Sequence, residues 1–492
     1  AFATLSVVDL LVDDDLTVAG DMTVGGTLGV TGVLTATSLD ISGDIDVDGT
    51  SNLDIIDVDG AANFAADVTI ATGADLLTAS AGTDNVRIGL DAGDSIASGG
   101  IRNILIGRNA GTAITTGDSN VAIGWEALKT EDANGNNVAI GASALATQNA
   151  GADAYNVGIG YNAGTAITTG IKNTLIGGLA GDALTDADFN VALGVSALGA
   201  DTLGSLSTAI GQGTLQVQNF TTATNTYNTA VGANAGNQVT TGIRNTLIGG
   251  IAGDSLTDAD YNTAIGFDAL GTDTLGSGSV AIGYQALERQ NFVTATTSYN
   301  VAVGYNTGEN ITTGLRNTIL GGLAGDALTD ADDNVALGMD ALSADTLGSK
   351  TVAIGKGALN VQNFTTATNT YNTAVGYQAG TAVSTGVRNT LIGGLSGDAI
   401  TTGIRNTTLG YFSGGSFDVG SYNVAVGDNA LATDSKGSTA VAIGYGTLAS
   451  QNFTTATNNY NIGIGYNAGS AVTTGNQNTL IGGLAGDALT VG

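Results

Sequence analysis

A glycine recurs with a short, nearly constant period over four-fifths of this chain of 492 residues. It usually ends a short motif that reads Asn, Thr or Val, Ala or Leu, and Ile or Val. Self-similarity at a period of roughly 17 residues predicts a solenoid in which each repeat forms one coil stacked on the last. The 23 glycines are at positions 89, 107, 124, 141, 160, 177, 194, 211, 232, 249, 266, 283, 304, 321, 338, 355, 376, 393, 410, 427, 444, 465 and 482.

The spacing of these glycines has a higher order. From Gly177 onward the successive spacings are 17, 17, 21 and 17, a super-repeat of 72 that is interrupted only by an extra coil between Gly393 and Gly410. One strand spacing of about 4.8 Å per coil predicts a solenoid roughly 110 Å long. Aromatic residues make up only 5% of the chain, so we expect a thin core of small and β-branched side chains.

Composition excludes several classes of function. The chain has no cysteine and no histidine, which removes thiol chemistry, the commonest general base and the commonest transition-metal ligand. A formal charge of −31 disfavours nucleic acid and anionic lipid as partners. No apolar run approaches the ~18 residues of a membrane span, so no membrane insertion is expected. We expect no cofactor.

Residues 1–84 carry a shorter period. Leu16, Met22, Leu28 and Leu34 are evenly spaced, six positions apart, and a turn-forming glycine follows each of the first three. Such apolar-x-apolar units predict strands of about three residues, too short to bury enough surface in one chain. We predict an N-terminal triple-stranded β shaft over 1–84 and a solenoid over 85–492; the alternative is a loosely ordered acidic leader.

Two columns of polar residues run along the predicted coils. Asn stands four residues before the glycine in 19 of the 23 coils, and Ser207, Ser279, Thr351 and Ala440 are the exceptions. A stacked amide column predicts hydrogen bonds from coil to coil, as in cross-β ladders. Four basic residues that stand one position earlier are each followed one coil later by an acid, which predicts inter-coil ion pairs worth about 0–1 kcal/mol each. The spliced coil breaks the rule, since Arg388 meets Arg405 instead. The predicted pairs are Arg102 with Asp118, Lys172 with Asp188, Arg244 with Asp260, and Arg316 with Asp332.

The longest coil of each super-repeat adds four residues in a Thr- and Asn-rich segment with one Phe and one Tyr. Because a constant core cannot absorb them, we expect loops that project outward and could contact a glycan or protein. The candidates are Phe220, Tyr227, Phe292, Tyr299, Phe364, Tyr371, Phe453 and Tyr460. The interpretation that we favour is that these aromatic residues fold back as a lid over the coil or fill a subunit seam. The acidic segments could supply calcium ligands, but pairing with the basic column explains them better, so no metal site is predicted.

The motif Asn-Val-Ala-Ile-Gly-x-x-Ala-Leu, at 120–128, resembles the head repeat of the YadA-like trimeric autotransporter adhesins. That resemblance implies a left-handed parallel β-roll in which three chains associate. The short periodic pattern within 1–84 resembles the shafts of bacteriophage tail fibres, which are homotrimers that connect a virion to its host. Together these resemblances imply a homotrimer on a virion surface or outside the cell, in contact with other fibre or virion proteins and with a cell-surface glycan or protein receptor.

The leading hypothesis is therefore a structural fibre for attachment to a host or surface, of the viral tail or appendage type. The alternative is a bacterial or archaeal surface adhesin or extracellular filament subunit. Ice binding is disfavoured because Thr-Thr-Gly recurs only about once per super-repeat, whereas a ladder needs it in every coil. An enzyme is not expected, because the acidic residues recur with the repeat and a catalytic pair should be unique.

Overall fold

The computed structural model describes residues 17–31, 33, 35 and 81–491, and the last of these segments forms a parallel β-solenoid. Every coil contributes one short strand to a single sheet of 23 parallel strands, each paired in register with the strand of the next coil. The predicted all-β solenoid is thus confirmed, and so is the length of its coils, because in most pairs the partner residues, such as Ala122 and Ala139, are 17 positions apart. No helix occurs among the described residues.

The strands fall into two sets. The longer strands, which form the large sheet, are Val86–Ile88, Ile104–Ile106, Val121–Ile123, Val138–Ile140, Val157–Ile159, Thr174–Ile176, Val191–Leu193, Thr208–Ile210, Thr229–Val231, Thr246–Ile248, Thr263–Ile265, Val280–Ile282, Val301–Val303, Thr318–Leu320, Val335–Leu337, Val352–Ile354, Thr373–Val375, Thr390–Ile392, Thr407–Leu409, Val424–Val426, Val441–Ile443, Ile462–Ile464 and Thr479–Ile481. Four separate two-stranded sheets are made by Gly204–Ser205 with Thr224–Asn225, Gly276–Ser277 with Thr296–Thr297, Gly348–Ser349 with Thr368–Asn369, and Gly437–Ser438 with Thr457–Asn458.

All strands of the large sheet except the first and the last bury their central residue, and they present the two outer residues to the other side of the sheet. In Val121–Ile123 the central Ala122 is fully buried, while Val121 and Ile123 are only partly covered. The prediction that β-branched side chains fill the core is therefore wrong for the strands, where the core side is mainly Ala and Leu. Alternation with period 2 separates the two faces of a strand but does not say which one lies inside.

The core keeps a constant cross-section because the strand centre and the position four residues after the glycine are not both large in the same coil. A Cβ atom at Gly164 or Gly181 would lie 2.7 or 2.8 Å from a methyl group of Leu175, at the centre of its strand. The next coil instead has Ala192 at the strand centre and a fully buried Leu198 four residues after its glycine. Each large side chain thus faces a small residue, as dense packing requires.

The repeating glycine is needed for both its backbone conformation and its lack of a side chain. Gly177 has a φ of +137°, a region that other residues rarely adopt, and a Cβ atom there would lie 2.5 Å from the carbonyl oxygen of Gly194 in the next coil. The coils are therefore in direct backbone contact along this column.

The predicted asparagine ladder joins successive coils through the backbone. The N–H of Asn120 donates to Oδ1 of Asn103 at 2.9 Å, and Nδ2 of Asn103 donates to the carbonyl oxygen of Gly117 at 2.9 Å. Both bonds connect one coil to the next, and both asparagines are fully buried. The ladder thus satisfies buried backbone groups at the corner that precedes each strand.

Residues 17–31, 33 and 35 belong to a separate unit from the solenoid. They contain no strand, and side chains such as Met22 and Leu28 are exposed. Most of the predicted shaft lies outside the described residues, and a triple-stranded shaft requires three chains, so it stays a prediction. The part of the chain that the structure describes contains no helix capable of crossing a membrane.

Candidate functional site

The longest coil of each super-repeat folds partly inward, and only part of its added length projects. Phe220 is only 6% exposed, whereas Thr221, Thr222 and Ala223 are exposed and Tyr227 is 52% exposed. The phenylalanines fold back against the coil and the tyrosines remain on the surface. The equivalent buried rings are Phe292, Phe364 and Phe453, and the equivalent exposed rings are Tyr299, Tyr371 and Tyr460.

The same coil repairs the gap that each exception leaves in the asparagine ladder. Ser207 stands in the Asn column and has no amide oxygen for the next coil. The extra residues supply Thr226, whose Oγ1 lies 2.6 Å from Oγ of Ser207 and accepts a hydrogen bond from the N–H of Asn228 at 3.3 Å. The short residues in this column and the added length of the next coil are therefore two parts of one feature.

Beside each repaired position lies a buried carboxylate that the sequence analysis missed. Oδ1 of Asp273 accepts hydrogen bonds from the N–H groups of Gly276 and Phe292 at 3.0 and 3.1 Å, and Oδ2 accepts one from Nε2 of Gln290 at 2.6 Å. Oε1 of Gln290 accepts in turn from Nδ2 of Asn300 at 2.9 Å. Asp273 and Gln290 are both fully buried. Within the described part of the chain no cation pairs with this carboxylate, and three N–H donors satisfy it instead.

These pairs occupy a core position, seven residues after the glycine, that other coils fill with an apolar side chain such as Leu256 or Ile311. The core therefore has polar layers between apolar ones. The sequence does contain this pattern. Most coils have Ile, Leu or Val at this position, whereas one coil has an acidic residue there and the next coil has Gln. The five hydrogen-bonded pairs are Glu131 with Gln148, Asp201 with Gln218, Asp273 with Gln290, Asp345 with Gln362, and Asp434 with Gln451.

A second, half-buried column of aspartates stands five residues after the glycine in one coil of each super-repeat. Burial, followed by the negative charge of Asp268, raises the pKa of Asp254 to about 6. Burial, together with Glu309 and Asp340, raises the pKa of Asp326 to about 6, and its buried Oδ1 atom has no hydrogen-bond partner. Ionising these groups therefore opposes folding.

A carboxyl whose pKa is higher in the folded state stabilises the fold at low pH, and that contribution is lost as the pH rises through the folded-state pKa. For Asp254 and Asp326 we expect the melting temperature to fall mainly between the ordinary pKa of 3.8 and the folded-state pKa of about 6, and to level off above it. Asp326→Asn should weaken this dependence and melt at the same or a higher temperature than the natural chain at pH 8. An equal loss of melting temperature at every pH would contradict this assignment.

The outer face of the large sheet carries no charged residue along its whole length, and most of its residues are apolar. We define the outer face as the residues one and three positions before each glycine. The first of these columns contains only Ile, Leu and Val in all 23 coils, and the second only Val, Ile and Thr. Ile248 is 37% exposed and Leu409 is 44% exposed. An uncharged surface of this extent, composed mainly of β-branched residues, is unusual for a chain with a net charge of −31.

One edge of the outer face carries exposed aromatic rings at the position after the glycine. Phe267, Tyr284 and Tyr305 form a continuous stack with ring centroids 5.8 and 5.3 Å apart. We call this column the aromatic edge. Its nine rings, all between 43% and 62% exposed, are Trp125, Tyr161, Phe267, Tyr284, Tyr305, Tyr377, Tyr411, Tyr445 and Tyr466.

The opposite edge carries the tyrosines of one candidate set and the basic residues of the other, which the sequence analysis assigned to separate features. Tyr227 and Arg244 occupy the same position, five residues before the glycine, in adjacent coils, and Tyr261 occupies it in the next coil. The residues of this column have positive φ values, for example 58° at Arg244, so each lies at a corner. We call the column the ridge. It includes seven of the 13 basic residues of the chain: Arg102, Lys172, Arg244, Arg316, Lys350, Arg388 and Arg405.

The structure places the predicted ion pairs in two different arrangements. Nη2 of Arg102 lies 4.0 Å from Asp118, and Nη2 of Arg316 lies 3.5 Å from Asp332. Arg316 also contacts Asp333 at 2.6 Å. These contacts are exposed, so each contributes little to stability.

The other two basic residues lie over aromatic rings. Nζ of Lys172 is 4.9 Å from the ring centroid of Phe189, and Cζ of Arg244 is 5.2 Å from that of Tyr261. Among the described residues, no ion pair includes Lys172 or Arg244.

The four aspartates share a backbone contact that the sequence analysis did not foresee. Oδ1 of Asp260 accepts a hydrogen bond from the N–H of Ile243, in the preceding coil, at 2.8 Å. The same bond is made by Asp118, Asp188 and Asp332. This contact explains why the aspartates recur even where the basic residue turns to a ring.

The chain matches no protein-family model, no curated protein and no solved structure. The geometry of its surfaces is therefore the basis for assigning a function.

Proposed function

We propose that this protein is a structural fibre subunit, a homotrimer that attaches a particle or cell to a host surface in the manner of viral tail and appendage fibres. The observation that carries the proposal is the apolar outer face, which runs without a charged residue through all 23 coils. A partner for such a face must repeat with the same axial spacing over the same length. A second copy of the chain meets both conditions.

The exposed area supports self-association. An aromatic side chain buries ~150–250 Å², so nine rings about half exposed leave on the order of 1,000 Å² along the aromatic edge alone. Summed along the whole edge, that area reaches the ~800 Å² per partner of a standard interface. The aromatic edge also has the Tyr and Trp enrichment that is typical of interfaces.

The negative charge elsewhere supports a fibre instead of an aggregate. The acidic residues keep the remaining surface soluble and mutually repulsive, so that association is confined to the uncharged outer face. The trimeric state follows the resemblance to adhesin heads and tail-fibre shafts.

Light scattering tests the proposal directly, because a homotrimer has three times the chain mass of 48.3 kDa. Ile248→Lys should shift the mass toward that of one chain, since three ammonium groups would be buried in the interface. Gln238→Lys, at an exposed position outside the outer face, is the matched control and should leave the mass unchanged. A natural chain that is monomeric would overturn the homotrimer and the fibre assignment with it.

A further inference from the structure

We propose that the ridge binds a linear acidic polysaccharide whose carboxylates are widely spaced. This inference rests on the proposed attachment function and names the class of receptor. The repeating unit is an exposed tyrosine, followed one coil later by a basic residue, which in turn lies on a ring one coil further on. Two complete units are Tyr155–Lys172–Phe189 and Tyr227–Arg244–Tyr261.

The basic group in each unit is held in place and still available. Nη1 of Arg244 donates a hydrogen bond to the hydroxyl oxygen of Tyr261, and Cζ lies 5.2 Å from the ring centroid. Arg244 is exposed, and none of its contacts is with a carboxylate at salt-bridge distance. The remaining guanidinium N–H groups can therefore take a ligand carboxylate, bidentately and without reordering the side chain.

The tyrosine that precedes the basic residue supplies the second contact. Tyr155 is 53% exposed and Tyr227 is 52% exposed. An exposed ring of this kind stacks against the apolar C–H face of a sugar, and a carboxylate on a neighbouring sugar then reaches the basic group one coil away, about 4.8 Å further along the solenoid.

The charge distribution selects a ligand of low charge density. The two complete units are four coils apart, which is roughly 19 Å along the solenoid and more than twice the ~8 Å Debye length at physiological salt. Lys350 and Arg405 also lie over rings, those of Tyr371 and Tyr422, but no tyrosine stands on the ridge one coil before either of them. A nucleic acid carries a charge about every 1.7 Å, so most of its phosphates would face an acidic surface. A polysaccharide with one carboxylate per repeat of several sugars avoids that repulsion.

The chain contains its own negative control. In the third unit the ring after the basic residue is replaced by Asp333, and Arg316 contacts both Asp332 at 3.5 Å and Asp333 at 2.6 Å. This unit keeps an exposed tyrosine, Tyr299, yet its basic group is already neutralised. It should contribute little to binding an acidic ligand.

The test uses the intact protein and gellan, a linear polysaccharide with a glucuronate in each repeat; the same polymer with its carboxyl groups reduced is the control ligand. We expect binding that weakens with salt and is absent for the reduced polymer and for single-stranded DNA. Lys172→Gln combined with Arg244→Gln should lower the affinity about tenfold, whereas Arg316→Gln should leave it within about twofold. All three side chains are exposed, so the variants should melt like the natural chain.

Three results would overturn the proposal. These are a trimer that does not bind gellan, an equal loss of affinity in Arg316→Gln, and a change in solution mass in the Lys172→Gln and Arg244→Gln variant. The last would assign the ridge to the subunit seam. A monomeric natural chain that still binds gellan would remove the fibre proposal and leave the ridge, so the two failures are distinguishable.

Discussion

Gly177→Val is expected to disorder the coils on both sides of position 177, whereas Gly178→Val is expected to leave them intact. A Cβ atom at Gly177 would lie 2.5 Å from the carbonyl oxygen of Gly194 and would sit on a backbone with φ of +137°, while a Cβ atom at Gly178 would meet nothing within 4 Å. Overpacking and backbone strain each cost ~1–3 kcal/mol, and rigid backbone atoms leave little room for relief.

The two valine variants form a matched pair because they add the same side chain at adjacent positions. Hydrogen exchange localises the effect, since a solenoid opens coil by coil and a global melting curve can hide a local defect. In Gly177→Val we expect faster exchange in the neighbouring strands Val157–Ile159 and Val191–Leu193. Unchanged protection there would show that the coils are not in direct backbone contact along the glycine column.

Asp273→Ala is expected to destabilise its coil pair by roughly 3–5 kcal/mol, because three buried donors lose their acceptor at about 1–3 kcal/mol each. The substitution leaves the N–H groups of Gly276 and Phe292 and Nε2 of Gln290 without the acceptor they share. Asp258→Ala is the control, because Asp258 is exposed and accepts only one side-chain hydrogen bond, from Thr241.

A double-mutant cycle separates the loss of the pair from the loss of the carboxylate itself. Gln290→Ala removes the donor to Oδ2 of Asp273. Its destabilisation of the Asp273→Ala variant should be smaller than its destabilisation of the natural chain. The expected coupling is about 0.5–3 kcal/mol, as for residues in one hydrogen-bond network. Strict additivity would mean that the two buried side chains, 2.6 Å apart, act independently.

Burial raises the pKa of Asp273, so the destabilisation measured for its variants depends on pH. At low pH the protonated Asp273 no longer carries the cost of burying an anion, so the natural chain is more stable there and the destabilisation caused by Asp273→Ala should be larger. Unfolding free energies for the Asp273 variants should therefore be compared at one pH, well above the ordinary range of an aspartate.

Much of the fold could be predicted because a repeat multiplies each local signal. A single Asn four residues before a Gly indicates little. The recurrence of this Gly in 23 consecutive coils, and of the Asn in 19 of them, identified the solenoid, its coil length and the asparagine ladder. The exceptions to the ladder were also visible as a pattern. Their reason was not, because the contact of Ser207 with Thr226 joins two coils and depends on how the long coil turns.

The functional surfaces were less accessible to sequence analysis. Tyr227 and Arg244 were predicted as a ligand-contacting loop residue and an ion-pair residue, and only the stacking of coils places them on one ridge. Phe220 and Tyr227 belong to the same segment, yet one is buried and the other exposed. Composition cannot separate them, because the direction of each side chain is set by the corners of the long coil.

The sequence by itself determined that this chain stacks short coils of nearly constant length and that each coil needs its glycine and, in most cases, its asparagine. These are properties of backbone contact and hydrogen bonding that repeat at every level. Only the tertiary structure decided which side of each strand faces inward, and hence that Ala and Leu form the core while an Ile, Val and Thr surface remains outside. An alternating strand has two apolar sides here. The inner side is the one on which a Leu at the strand centre faces a glycine, and an Ala at the strand centre accompanies a buried Leu four residues after the glycine, so the closed coil is densely filled.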